Sequence, residues 1–195
     1  MKIVCAEQAV VEAELLGGLL ACPSCLGVLG PWGHARERVT RRVLGDWRWR
    51  PRRAQCRDCR GTHVLLADLC LLRRQDEVEV IGAAIEAHVG GEGHRPIAGR
   101  LGVPAGTVRG WLRRFSANAE VIRARFTRCA VWLDPELGSI VPAGSVVADA
   151  LEAIAVAGRA WVLRFGSGPV WRIVSCLSVG GLLCRNTSSL ATGAW

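Results

Sequence analysis

Two cysteine pairs, Cys22-Pro23-Ser24-Cys25 and Cys56-Arg57-Asp58-Cys59, carry the plainest chemistry in this chain. Two thiolates separated by two residues grip one side of a tetrahedral Zn²⁺, and a second pair brought alongside by a hairpin closes the other side. The stretch between them, Leu26 to Gln55, leaves room for an elaborated hairpin. Four sulfurs leave no position for water, so the expected metal is structural rather than catalytic. The competing readings are a redox Cys-x-x-Cys, which needs no second copy, and two disulfides. His63, four positions after Cys59, is expected as a strand residue beside the site and not as a ligand. Cys5, Cys70, Cys129, Cys176 and Cys184 are odd in number and show no framework spacing, so they read as buried thiols in a reducing interior.

A second constellation runs from Pro96 to Arg113. A helix-turn-helix needs a small residue where its helices touch, a glycine in the turn, and apolar residues that pin the second helix. Ala98, Gly102 and the set Ile97, Leu101, Val103, Val108 and Trp111 fill those places in order. Pro104, Ala105, Gly106, Arg109, Gly110 and Arg113 are then left facing outward at the start of the second helix, the face that would enter a major groove. A helical hairpin inside a core is the bland alternative. Charge supports a polyanion partner: twelve arginines between Gly30 and Arg74 meet only Glu37, Asp46, Asp58 and Asp68, which accounts for the whole net charge of +8. Within that run Arg52 and Arg53 are candidates to hold phosphate. Trp47 and Trp49 read as packing residues in preference to a base-stacking platform.

Positioning these groups takes two kinds of scaffold. Residues 1–21 form a mildly acidic lead, expected as a strand or short helix packed on the cysteine-bearing segment. Residues 22–74 read as knuckles and strands of a zinc ribbon, with Trp47 and Trp49 alternating with Arg48 and Arg50, and with a β-branched run from Thr62 to Leu66. At Asp76 the period changes. Val78, Ile81, Ile85 and Val89 fall at helical spacing, Asp76, Glu77 and Glu79 crowd the first turn, and Gly90-Gly91-Glu92-Gly93 stops the helix. Residues 75–115 are thus the expected helix-turn-helix domain. Residues 116–195 are charge-balanced and helical in pattern over Val121–Leu133, Val146–Phe165 and Trp171–Leu177, with Asp134-Pro135-Glu136 as a stop, and are expected as a small bundle. The resulting fold class is mainly α, with a small β zinc ribbon at its head.

Several classes are set aside. Leu15 to Cys22 imitates a lipoprotein cleavage box, but Glu7, Glu12 and Glu14 interrupt the apolar stretch and Cys22 is needed as a ligand. The stretch from Val170 to Cys184 carries Arg172 and is too short to span a bilayer, so no membrane association is expected. After the helix-turn-helix the only acids are Glu120, Asp134, Glu136, Asp149 and Glu152, with no strand-rich core to hold a nuclease triad, and all four histidines precede residue 95. The chain is therefore expected not to be an enzyme.

The two hooks, the segment Gly61 to Leu66 and the helix-turn-helix ending at Thr107 to Arg114 together resemble a family of small actinobacterial proteins with a zinc-ribbon head and helix-turn-helix body. More distantly, the layout is similar to the N-terminal DNA-recognition regions of insertion-sequence transposases. The resemblance covers about Cys22 to Phe115 and implies double-stranded DNA binding without implying a reaction. The expectation is a zinc-containing helix-turn-helix protein of the cytoplasm and nucleoid, transposon-associated or a transcriptional regulator. Its alternatives are an assembly adaptor that docks its ribbon on a recombinase or similar partner, and the remnant of a transposase lacking its nuclease. Homodimer and monomer both stay open.

Overall fold

The computed structural model describes residues 1–184, and its sheet is built around one strand. The run Thr62–Ala67 buries Leu65, Leu66 and Ala67 because it has neighbours on both edges and apolar layers on both faces. We number the strands β1 (Lys2–Val4), β2 (Leu29–His34), β3 (Arg38–Thr40), β4 (Trp47–Trp49), β5 (Arg52–Cys56) and β6 (Thr62–Ala67). The helices are α1 (Gln8–Leu16), α2 (Val78–Val89), α3 (His94–Leu101), α4 (Ala105–Ala117), α5 (Ala119–Leu133), α6 (Val146–Phe165) and α7 (Val170–Leu177). The main sheet has the order β1-β6-β5-β2, with β5 antiparallel to β2 and β6. β1 runs parallel to β6, Lys2, Ile3 and Val4 lying opposite Leu65, Leu66 and Ala67.

That parallel strand overturns the expectation of a mainly α protein with a simple zinc ribbon at its head. The chain is 46% helical and 17% strand around a mixed four-stranded sheet, which makes it a mixed α and β fold. The physical reason lies in the first residues: β1 adds itself to the free edge of β6, and α1 returns the chain toward the opposite edge, packing beside β2. The lead therefore supplies both a strand and a helix.

Side-chain alternation along β6 divides two small cores. Leu65 joins Val4, Val11, Leu15, Leu20, Leu29 and Ala54 with the sulfurs of Cys22 and Cys56. Leu66 joins Trp49, Ala67, Leu69 and Cys70. Trp49 is buried, stacks on Trp47 with ring centroids 4.5 Å apart, and donates its indole N–H to Thr40 Oγ1 at 3.1 Å, so it packs the β3–β4 hairpin onto the sheet. All nine cysteines are free. Cys70 and Cys129 are buried, with their thiols pushed up by that burial, but Cys5 is exposed, contrary to its expected place among the buried thiols.

The helices share a larger core that contains Ile81, Ile85, Ile97, Trp111, Phe115, Ile122 and Phe126. Arg123 and Thr127 of α5 line one cavity with Asp149 and Ala153 of α6, while Arg164 near the end of α6 donates to the carbonyls of Trp132 and Leu133 at the end of α5. The two helices thus run in the same direction, and residues 134–145 travel back along them. Twelve extended residues reach about 40 Å, ample for a fifteen-residue helix of about 22 Å. Residues 185–195 of the expected C-terminal region lie outside the described residues. Among the described residues no helix is long and apolar enough to cross a membrane.

Sheet and helices are joined by charge and by α7. Arg41 holds buried Asp76 through two bonds of 2.8 and 2.9 Å, Arg42 holds Glu77 at 3.2 Å, and Arg172 holds Glu79 at 3.1 Å. Ser175 of α7 donates to the Cys70 carbonyl at 2.8 Å, and Gly180 accepts from the Leu72 N–H at 2.8 Å. Asp68 and Glu79 each keep one buried carboxylate oxygen without a hydrogen bond to the described residues. Burial raises both above the ordinary carboxylate range, against the pull of Arg172 and of nearby backbone N–H groups. An acid raised by folding ionises first in the unfolded chain, so its contribution is complete below about pH 4 and is lost as pH rises from there. Asp68→Asn should therefore melt higher than the parent at pH 7, and the two should converge near pH 4 and below. Thermal melts across that range check it, and parallel curves would refute the assignment.

Candidate metal centre

The two hooks have one backbone design. Leu26 and Arg60, each directly after the second cysteine of its pair, take left-handed φ values of 63° and 59°. Each is followed by a glycine, and the N–H of the first cysteine then bonds the carbonyl of that glycine: Cys22 to Gly27 at 2.7 Å, Cys56 to Gly61 at 2.9 Å. The loop so closed aims both sulfurs of a pair to one side. Pairing of β2 with β5 sets Leu29 opposite Cys56, and the Arg57 N–H bonds the Val28 carbonyl at 2.9 Å, which brings the second hook against the first.

All four sulfurs lie within 4.8 Å of one another, Cys22 to Cys59 at 3.8 Å and Cys25 to Cys56 at 3.4 Å. Thiolates bound at about 2.3 Å, the zinc–sulfur length, sit about 3.8 Å apart along a tetrahedral edge. Cys22, Cys25, Cys56 and Cys59 can therefore hold a metal ion with a closed sulfur shell, as a structural site requires. Cys22 and Cys56 face the core, Cys25 and Cys59 the surface.

Electrostatics point the same way. Burial works against ionisation of Cys22, but the N–H groups of Ser24 and Cys25 and the thiols of Cys59 and Cys25 outweigh it and bring the group down to about 6. At Cys25 the Gly27 N–H favours the thiolate, and the crowding of Cys56, Cys59 and Cys22 overrides it, lifting the group to about 12. Four sulfurs this close cannot all carry charge without a cation among them. His63, buried on β6, places Nε2 3.3 Å from Cys22 Sγ, where an N–H would steady the thiolate from outside the sulfur shell.

The spacing of the four cysteines is plain in the sequence, but the shape of their loops is not. The available signal was the glycine two residues past each pair. A Cβ at Gly27 would displace the exposed Asp58 carboxylate and lie 3.1 Å from Cys56 Sγ, so a larger residue there crowds a sulfur of the second hook.

The remaining candidate residues divide between the helix-turn-helix and the arginine run. Gly102 joins α3 to α4 at φ 64°, and Ile97, Ala98, Val108 and Trp111 are buried around the turn, with Leu101 and Val103 half-buried. Pro104, Gly106, Arg109 and Arg113 are exposed or nearly so on the outer side of α4, and Ala105 and Gly110 are half-buried. α4 contains no acidic residue, and Arg109 and Arg113 make no hydrogen bond or ion pair with the described residues. Arg52 is held instead: it pairs with Glu12 at 2.5 Å, donates to the Gly33 carbonyl at 3.0 Å, and its side chain is 20% exposed. Arg53 reaches Thr62 Oγ1 at 3.4 Å. Comparison of the chain with protein-family models, with curated proteins and with solved structures returned no match.

Proposed function

We propose that this chain is a zinc-containing protein that binds double-stranded DNA through α3, the Gly102 turn and α4 as a helix-turn-helix, with the metal a structural clamp on the sheet. The observation that carries the reading is the surface of α4. Two arginines one turn apart stand without a partner among the described residues, beside Pro104 and Gly106 and on a helix without a carboxylate, while the apolar face of the same helix is sealed in the core. Arginines in that state have kept their donors for an outside acceptor, and a guanine edge or a phosphate fits them. The resemblance to transposase DNA-recognition regions supports a transposon-associated or transcription-regulating role on the nucleoid.

In a duplex titration, Arg109→Ala should cost roughly 1 to 3 kcal/mol on the preferred site and relax discrimination at one base position. The comparison uses preferred and scrambled duplexes at several salt concentrations. Unchanged affinity and preference would remove α4 as the reader. The adaptor reading would then lead, and it has its own observation: Leu16, Leu19 and Leu26 stand 75%, 75% and 78% exposed on α1, the turn after it and the first hook.

A further inference from the structure

A third group of arginines sits against the flank of α4, apart from the outward face. Arg114 folds back along its own helix and donates Nη1 to the Gly110 carbonyl at 2.8 Å. Glycine is what admits it there, since a Cβ at position 110 would come 2.9 Å from that nitrogen. The cost of about 1 kcal/mol for a glycine within a helix thus has a specific return, a guanidinium held in place. On the segment before α2, Arg73 takes a left-handed φ of 60°, a conformation unfavourable for a side chain of its kind, and its own side chain has no partner among the described residues.

Arg74 comes next, half-buried, with Nη2 on the Leu183 carbonyl at 3.2 Å, Nη1 on the Arg73 carbonyl at 3.2 Å, and Nε sealed from solvent with no acceptor among the described residues. Asn118, one turn past Arg114 at the end of α4, donates to the Cys184 carbonyl at 3.0 Å, next to the Leu183 carbonyl that Arg74 holds, so Arg74 lies against the end of α4. Its ionisation is lowered by burial first and then by the positive charge of Arg114, with Arg73 adding to this and Cys184 and Asp76 pulling the other way. Asp76, the nearby carboxylate that could relieve them, is taken by Arg41 through both oxygens. Among the described residues every acceptor that Arg74 and Arg114 reach is a neutral carbonyl. Among the described residues no carboxylate hydrogen-bonds to any of these three cations, and an outside anion would relieve their mutual repulsion.

We propose that Arg73, Arg74 and Arg114 form a seat for a DNA backbone phosphate, flanking the groove-facing residues of α4. The proposal rests on the DNA-binding reading above. Arg113 and Arg114 are consecutive, about 100° apart around the helix, so one points outward with Arg109 while the other turns to the flank. A duplex entered by the first would lay its sugar-phosphate strand beside the second. Labour is divided accordingly: Arg109 and Arg113 meet base edges, and the seat fixes the register of the helix on the strand without reading sequence.

The test uses the full chain carrying its metal. Arg73→Asn combined with Arg114→Ala removes two members, asparagine being tolerant of the left-handed conformation, and leaves Arg74 to hold the Leu183 carbonyl. Against the parent, this variant should bind preferred and scrambled duplexes more weakly by a similar factor. Its plot of log affinity against log salt should be shallower by about 0.9 for each phosphate no longer neutralised. A duplex bound by the parent but bound by the variant with equal affinity and slope overturns the seat and leaves the helix-turn-helix reading intact. A parent that binds no duplex at low salt overturns both. Inorganic phosphate at constant ionic strength separates a strand from a free anion. It should leave the melting temperature of the parent unchanged, and a rise in the parent that is absent in the variant would make the site one for free phosphate and sink the proposal.

Discussion

Cys56→Ser should purify with less than about half an equivalent of zinc and with its sheet unfolded, while the helical signal of α2 to α6 persists. Cys56 is both one of the four clustered sulfurs that can hold a metal ion and a member of the small core formed by Val4, Val11, Leu15, Leu20, Leu29, Ala54, Leu65 and Cys22. A core of that size does little to hold a sheet alone, whereas a structural zinc contributes about 10 to 16 kcal/mol of apparent folding free energy in small sulfur-ligated modules. A serine hydroxyl does not replace the thiolate, so the metal and most of that contribution go together. Trp111, Phe115 and Phe126 pack in a separate core without a ligand, which is why the helices outlast the sheet. Cys129→Ser serves as control, being buried in the helical core and no member of the sulfur cluster. It should keep a full equivalent. Metal analysis with circular dichroism decides, and a Cys56→Ser protein with one zinc and an intact sheet would dismiss the clamp.

Gly82→Ala is expected to cost about 3 kcal/mol, a large figure for one added methyl on a helix. The indole of Trp171 lies where the Cβ would go: Cε2, Cδ2 and Nε1 at 2.1, 2.2 and 2.3 Å. α2 cannot retreat, because Ile81, Ala84 and Ile85 beside this glycine are fully buried. The ring must leave, and with it goes the bond from its N–H to Glu86 Oε1 at 2.8 Å. Trp171→Ala should cost a comparable 3 to 5 kcal/mol, roughly, by opening a cavity. The double variant should then be at least about 1 kcal/mol more stable than the sum of the two losses predicts, since the new methyl enters the space the ring has left. Urea unfolding of the four proteins measures the cycle. A Gly82→Ala protein as stable as its parent would show that the ring does not rest there.

Legibility in the sequence tracks the range of the interaction. The hook spacing is local, and so are the period of α2 with its stop at Gly90 and the glycine turn between α3 and α4, and these stand in the pattern of residues. β1 cannot be read in this way: three residues, Lys2 to Val4, acquire their identity from pairing with distant Leu65 to Ala67, and a parallel pairing leaves no turn signature. Arg52 looks like one more solvated cation in an arginine run, until α1 delivers Glu12 to it. His63 can be placed near the site by spacing, but its contact with Cys22 depends on how β6 sits across the sheet. Gly27 and Gly61 are visible in the sequence, and their purpose shows only once the left-handed residues before them are known.

The common direction of α5 and α6 gives the helical body an electrical axis. Peptide dipoles in two helices that point the same way add where antiparallel neighbours would cancel, and each helix leaves roughly half a negative charge at its C-terminus. Both negative ends meet at Leu133 and Phe165, and Arg164 answers them together, its guanidinium on the carbonyls of Trp132 and Leu133 and over the rings of Trp132 and Phe165 at 5.3 and 5.7 Å. At the other pole the positive ends are met by Glu120 on the first turn of α5, and by Ser145 and Asp149 at the start of α6, which accept from the N–H groups of Ala148 and Ala143 at 3.2 and 2.6 Å. One cation at one end and carboxylates at the other let two aligned dipoles lie side by side.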